Sequence, residues 1–222
     1  GELRAGHYSS VYKTATEPLD PYVAPHAAAQ AVLGNVDGSV LFSEWYNNVI
    51  GWRAPAFHGV HGGLDVIVNQ GSDNLPLPSS SNSYTDNAKA NGLSLDVEWR
   101  NDWLNAGLAY EQRNNYAYQK DISAFELYAG AELLQRAHVA AVFESASTVL
   151  GSSAADASTG SRSALYLSGT YRLRTRDALA DALGMLVSGS GVAWSGATWL
   201  AAGVDHSLSQ HAFVYALYTI MT

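Results

Sequence analysis

The residues with the clearest capacity for chemistry are ionisable side chains in the first hundred positions of the chain. They are cations and a histidine in or near strand-like segments, and two acids in the segment between them: Arg4, His7, Lys13, Arg53, Arg100, Glu17 and Asp20. Opposed charges around a narrow, wetted space order water and favour polar solutes over apolar solutes of equal size. We predict that these residues line a pore constriction. The alternative is that they are solvated charges or members of local salt bridges.

No arrangement of side chains indicates a catalyst. Asp205, His206 and Ser207 are consecutive, and neighbours on a strand point to opposite faces, which prevents triad geometry. The sequence has no Gly-x-Ser-x-Gly motif, no glycine-rich phosphate loop before a helix, and no cysteine. His58 and His61 have no adjacent Cys or carboxylate to complete a metal site. We therefore predict a protein that is not an enzyme and that uses no cofactor or metal.

Composition narrows the class of protein further. The 222 residues carry 12 basic and 20 acidic side chains, for a net charge of −8, and no run of basic residues indicates nucleic-acid binding. No charge-free apolar stretch reaches the roughly 18 residues that a membrane helix needs. The mean hydropathy of −0.06 is near neutral. That value also fits a membrane barrel, in which apolar residues occupy only alternate positions.

From Gly62 onward the sequence alternates with a period of two, which predicts strands. Apolar residues alternate with polar, charged or small ones over residues 93–100, 104–111, 125–133 and 165–174. Two geometries fit: a soluble sheet whose charged face meets water, or a membrane barrel whose charged face lines an aqueous lumen. The segments run to about ten residues, the length of a tilted membrane-crossing strand, whereas globular strands centre on about five or six. This length favours the barrel.

The connections alternate between tight turns and longer polar stretches. Asn101–Asp102 is typical of a tight turn, whereas Asn114 to Asp121 and Ser147 to Ser161 are predicted to be longer loops. Short turns at one end and long loops at the other are typical of an up-and-down meander. We predict an all-β, antiparallel, up-and-down transmembrane β-barrel, with residues 1–222 forming a single domain and about eleven strands.

One insertion organises the first part of the chain. The strand-like segment Glu2–Tyr8 is separated from the next one, Trp45–Pro55, by more than about thirty residues without a strand period. A loop this long inside a compact domain is usually functional. It contains a short helix-compatible piece, Pro25–Gln30. We predict that residues 11–44 fold into the lumen as a pore-constricting loop.

Two further sets of residues have predicted places on the barrel wall. Acids on the polar face are expected to line the lumen, where they favour cations or belong to a field that the missing strands balance: Glu98, Glu111, Glu126, Glu132 and Glu144. Aromatic residues near strand ends are expected to form interfacial girdles: Trp45, Tyr46, Trp52, Trp99, Trp103, Tyr110 and Tyr171. Core packing is the alternative for these aromatic residues.

Several motifs, in this order, resemble the general trimeric porins of Gram-negative outer membranes, especially the neisserial and beta-proteobacterial branch. They are Leu3–Gly6, the loop with Asp20–Pro21, Asn48–Phe57, and the closing Leu208–His211 and Tyr215–Tyr218. The resemblance implies a homotrimer in outer-membrane lipid that passes small hydrophilic solutes and ions by diffusion. It also implies about sixteen strands, with the first four and the last one missing from this chain.

The chain departs from this pattern at positions that carry charge. His7 and Gly51 stand where the family often has Arg, Ala54 replaces a Ser, and Arg53 lies two residues beyond the usual position. The family's ion preference therefore cannot be carried over. Two alternatives stay open: a porin selective for organic anions through Arg4, Arg53 and Lys13, and a non-conducting structural barrel that anchors or sheathes a partner.

Overall fold

The fold comes from a computed structural model of the chain. It describes residues 1–22, 29, 32–36, 39–40, 42, 45–68, 91–117, 120–133, 136–150, 158–173, 177–190, 197–209 and 212–222. Apart from Ala29, the helix expected over Pro25–Gln30 lies outside these residues. Among the described residues, no helix is long and apolar enough to cross a bilayer.

Eleven strands form one antiparallel sheet in the order β1-β4-β5-β6-β7-β8-β9-β10-β11-β12-β13, and β2 and β3 form a separate pair. Only β1 and β4, which are joined by the inserted segment, are not consecutive in the chain. The bounds are β1 Glu2–Ser9, α1 Val11–Thr16, a 3-10 helix Glu17–Leu19, β2 Asn35–Val36, β3 Ser39–Val40, β4 Trp45–Arg53, β5 Val60–Ile67, β6 Asn91–Arg100, β7 Leu104–Ala117, β8 Lys120–Leu133, β9 Ala137–Leu150, β10 Ser158–Arg172, β11 Asp177–Ser190, β12 Thr198–Ser207 and β13 Phe213–Met221.

The period-two pattern places apolar side chains on the outer face of the sheet. In β6, Val97 is 48% exposed, whereas Ser94 and Glu98 are 0% and 5% exposed. Large apolar residues are exposed in the same way on every strand of the sheet, including Leu64, Leu127, Phe143, Leu167 and Leu200. An apolar outer face with polar inner residues is the arrangement of a membrane barrel. The predicted fold class, an antiparallel transmembrane β-barrel of porin type, is confirmed.

Two predicted loops are wrong. Asn114 to Asp121 was expected to be a loop, but β7 continues to Ala117, β8 begins at Lys120, and these two residues pair. Within Ser147 to Ser161, β9 continues to Leu150 and β10 begins at Ser158. The sequence pattern fails here because these strand ends are mostly polar, apart from Val149 and Leu150 at the end of β9, so the apolar alternation is interrupted before the backbone pairing ends.

The inserted segment folds against the inner face of the sheet. It opens with α1, whose N-cap Ser10 accepts a hydrogen bond from the Lys13 backbone N–H. Side chains of the segment form a buried core with inward residues of β7 to β12. The segment contributes Tyr12, Ala15, Leu19, Ala29, Val32, Leu33 and Phe42. The barrel wall and the segment thus bury each other, and the segment is an inward-folded loop.

The wall behind the loop is built mainly of small side chains. Seven buried alanines contribute to this core: Ala109, Ala124, Ala140, Ala146, Ala164, Ala182 and Ala201. At Gly184 the loop approaches the wall too closely for any side chain, because a Cβ there would overlap the side chain of Val32. Small inward residues leave room for the loop, whose large side chains fill the space in front of the wall.

Candidate functional site

The first part of the site is a charged wall on the inner face of β1, β4, β5 and β6. At its centre, Arg53 contacts Asp65 through Nη1–Oδ1 at 2.6 Å and Nη2–Oδ2 at 3.2 Å. Asp65 is fully buried and its Oδ2 also accepts a hydrogen bond of 2.8 Å from the backbone N–H of Val11. Asp65 therefore joins the predicted constriction residue Arg53 to the start of the loop.

The other two arginines of the charged wall also have carboxylate partners. Arg4 Nε lies 2.9 Å from Glu2 Oε1, and Arg100 Nη2 lies 2.7 Å from Glu98 Oε1. Each pair is two residues apart on one strand, which places both side chains on the same face. Arg4, Arg53 and Arg100 thus share the wall as three ion pairs. The i,i+2 spacing of Glu2–Arg4 and Glu98–Arg100 is visible in the sequence.

His7 and Lys13 lie together at the end of β1. The His7 ring stacks on Trp45 with centroids 5.6 Å apart, and its Nδ1 lies 2.6 Å from Asn47 Oδ1. Lys13 Nζ lies 5.7 Å from the centroid of the same Trp45 ring. The register between β1 and β4 is interrupted between Gly6 and Tyr8, where Gly6 has φ 134°. His7 and Lys13 form a cluster around Trp45, and their proposed role in the pore stays a prediction.

The two loop acids have different surroundings. Asp20 accepts hydrogen bonds from the backbone N–H of Tyr22 at 3.0 Å, from that of Ala29 at 2.7 Å, and from the Tyr166 hydroxyl at 2.9 Å. Burial raises the pKa of Asp20, although these hydrogen bonds oppose the shift. Asp20 thereby holds the loop together and attaches it to β10. Glu17 is exposed at the start of the 3-10 helix.

A buried carboxylate row, Glu111, Glu126 and Glu144, crosses β7, β8 and β9. All three side chains are fully buried, so the expectation that they line an open acidic lumen is wrong. Tyr46, expected in an interfacial girdle, is instead buried and donates a 2.5 Å hydrogen bond to Glu111. The alternation of apolar and polar residues in the sequence placed these acids on the inner face. It could not show that the loop covers them.

Glu144 connects the loop to the wall at two points and also pairs with Arg162 on the neighbouring strand β10. Its Oε2 accepts 2.7 Å hydrogen bonds from the Tyr12 hydroxyl and the Gly34 backbone N–H, and its Oε1 lies 2.6 Å from Arg162 Nη2. Burial raises the pKa of Tyr12 well above its ordinary value, so the phenol stays protonated and can donate. Glu126 is the register partner of Glu144 on β8, and among the described residues neither of its oxygens accepts a hydrogen bond of standard geometry, although the Tyr12 and Thr16 side chains lie near it. The sequence analysis did not anticipate the role of Arg162, although it lies on the inward parity of β10.

The fold and the site together define a porin-type β-barrel with a loop fixed across its inner wall. The solved structures similar to the chain include the anion-selective porin from Comamonas acidovorans, with 16% identity and a TM-score of 0.72 over 100% of this chain and 63% of that one. The outer membrane channel DcaP of Acinetobacter baumannii has 8% identity and a TM-score of 0.68, covering 100% and 65% of the two chains. Salmonella typhi OmpF in a complex with daunomycin has 13% identity and a TM-score of 0.67, covering 97% and 66%.

The chain spans less than two thirds of the length of these three structures. Neither a protein-family model nor a curated protein sequence matches the chain. At identities of 8–16%, the likeness shows a common fold. The first is described as an anion-selective porin and the second as an outer membrane channel, in agreement with the outer-membrane location that the motif resemblance implies.

Proposed function

We propose that the chain forms the wall and constriction of an outer-membrane porin in a Gram-negative bacterium. Its water-filled channel passes small hydrophilic solutes and ions by passive diffusion, without catalysis or a cofactor. The observation that carries this proposal is the inward-folded loop, which buried hydrogen bonds from Tyr12 and Gly34 to Glu144 attach to the inner wall. A loop attached in this way narrows a lumen without closing it.

The constriction is formed by residues 11–44 and by the charged wall opposite. Charges of both signs produce a transverse field that selects for polar solutes. Because Arg4, Arg53 and Arg100 are each paired with a carboxylate, the described wall carries little excess positive charge. This pairing favours a general pore over one selective for organic anions, although anion selectivity is named for the Comamonas acidovorans porin.

The conducting form needs further strands between the free edges of β1 and β13. Exposed strand edges leave backbone N–H and C=O groups unpaired, which lipid does not tolerate. In an antiparallel sheet of eleven strands the first and last run in the same direction, so antiparallel closure requires an odd number of additional strands. We further propose a homotrimer of the neisserial or beta-proteobacterial type, in line with the motif resemblance.

Planar-bilayer recording of the native protein purified from its outer membrane tests the proposal. Ohmic conductance steps that do not saturate with solute concentration are expected. Steps that saturate with one organic anion would favour the selective porin. An inactive preparation that is folded and membrane-inserted would contradict the channel and favour the structural barrel.

A further inference from the structure

Among the described residues, the outer face of the sheet carries one charge away from the strand ends, on Asp181. Asp181 is the fifth residue of β11, and its register partners are Gly169 on β10 and Ala202 on β12. The pairs on either side of it join outward apolar residues, Leu179 with Val204 and Leu183 with Leu200, of which Leu183 is half-buried. Since Ala182 is buried on the inner face, Asp181 points outward into the apolar band.

Asp181 has no counter-charge among the residues that the structure describes. It is exposed, and no described residue forms a hydrogen bond or ion pair with it. Apart from residues at strand ends, it is the one Asp, Glu, Lys, Arg or His at an outward position among the described residues of the sheet. Ionisable residues in contact with hydrocarbon are costly, so they usually mark a functional contact.

Small side chains on both sides of Asp181 form a notch, made of Gly169, Asp181 and Ala202. Nothing inside the protein requires glycine at position 169. A Cβ there would make only ordinary contacts, 3.6 Å from the His138 carbonyl oxygen and 3.9 Å from Val139 Cγ1. Large outward residues surround the notch on the same three strands: Leu167, Tyr171, Leu179, Leu183, Leu200 and Val204. Small residues at such a position allow another membrane protein to approach closely.

We propose that the Asp181 notch is a docking site for a Lys or Arg side chain of a different membrane-embedded protein. The inference rests on the membrane placement of the sheet and goes beyond the channel function. A basic group is the chemistry that compensates an isolated carboxylate in an apolar field. A second copy of this chain offers no Lys or Arg at the described outward positions of its strands, so it does not supply the complement.

The depth of Asp181 favours a protein partner over a lipid amine. Four residues separate it from the start of β11, which corresponds to about 10 Å along the barrel axis for a tilted strand. The outward pair Tyr171 and Leu179 lies between Asp181 and the end of β10. Lipid headgroups lie at the level of such aromatic residues. A Lys or Arg on a membrane-embedded segment reaches the required depth because its stem is apolar.

Site-specific photo-crosslinking in intact cells tests the proposal. A benzophenone amino acid replaces Leu183, beside the notch, and a control replaces Leu127, an outward residue of β8. We expect one protein adduct at position 183, mapped by mass spectrometry to a peptide that contains Lys or Arg, and lipid adducts at position 127. Asp181→Asn should reduce the protein adduct on the order of tenfold or more, whereas Asp181→Glu should retain it.

Charge exchange completes the test. Asp181→Lys should abolish the adduct, and replacing the mapped basic residue of the partner by Asp should restore it. Asp181→Asn should fold as well as the native protein, because it removes a lipid-facing charge, and heat-modifiable migration checks this. Lipid adducts alone, an adduct to a second copy, no adduct, or one unaffected by Asp181→Asn would overturn the proposal. Absence of lipid adducts at position 127 would instead show that the membrane placement is wrong.

Discussion

The attachment of the loop to the wall depends on Glu144, and replacing it by Gln tests this dependence directly. The change keeps the shape of the side chain and removes its charge. The carboxylate receives donors from Tyr12, Gly34 and Arg162, at 2.7, 2.7 and 2.6 Å. After the substitution, the buried guanidinium of Arg162 keeps its charge but loses its carboxylate, and an amide N–H₂ group occupies one of the two acceptor positions.

The size of the effect follows from burial. The side chains of Arg162 and Glu144 are 3% and 0% exposed, so solvent screens their interaction very little. Removing one partner of a buried ion pair costs about 3–5 kcal/mol, because the remaining charge is uncompensated. Each hydrogen bond to a charged group contributes about 1.5–3 kcal/mol, part of which a Gln oxygen retains. We expect the free energy of unfolding to fall by about 3 kcal/mol or more.

The adjacent carboxylate provides a matched control. Glu126 is equally buried and is the register partner of Glu144, yet among the described residues its oxygens accept no hydrogen bond of standard geometry, although the Tyr12 and Thr16 side chains lie near it. Glu126→Gln changes a buried side chain that has no hydrogen bond of standard geometry to the loop, so it should change stability by less than about 1 kcal/mol. Denaturant unfolding in detergent measures both variants, and single-channel current noise reports the mobility of the loop. A larger loss for Glu126→Gln than for Glu144→Gln would refute the assignment of Glu144 as the attachment point.

Three further predictions concern the loop and the charged wall. Gly184→Val would place a side chain against Val32 and displace the loop, so single-channel conductance should become larger and noisier, whereas Gly169→Val on the outer face should leave it unchanged. Because burial raises the pKa of Asp20, the folded protein binds this proton more tightly than the unfolded chain. Its contribution to stability should increase as pH falls from about 7 to about 4, and Asp20→Asn should flatten that part of the unfolding curve. Arg53→Gln leaves a buried carboxylate unpaired, so it should lower stability by about 3 kcal/mol and shift the reversal potential in a salt gradient toward cation selectivity, with Arg53→Lys as the milder control.

The sheet was predictable because lipid imposes a period on the sequence. Over Leu93 to Trp99 every second residue is large and apolar, and the structure places those side chains outward. Where strands extend beyond this apolar pattern the constraint is lost, which is why the ends of β7 to β10 were mistaken for loops. Strand existence could thus be predicted from side-chain pattern, whereas strand length depends on backbone pairing that carries no side-chain signature.

The site was predictable only in part. Period two assigned Glu111, Glu126 and Glu144 to the inner face correctly, but whether an inner residue meets water or the loop depends on contacts across more than a hundred residues. Local ion pairs such as Glu98–Arg100 could be predicted from the sequence, because residues i and i+2 on a strand share a face. The alanines on the inner face were the overlooked signal for a covered wall.

The alanine-rich wall explains why the loop needs buried polar anchors. Alanine side chains contribute apolar area but form a nearly flat surface. A loop held only by that surface would therefore lose little binding free energy on sliding to another position. Asp65, Glu144 and Tyr166 each receive or donate a hydrogen bond that can form only at one position of the loop. A displaced loop would leave these groups buried and unpaired, at about 1–3 kcal/mol each and more for the charged ones. Apolar burial therefore supplies much of the attachment, and the polar contacts select a single position of the loop on the wall.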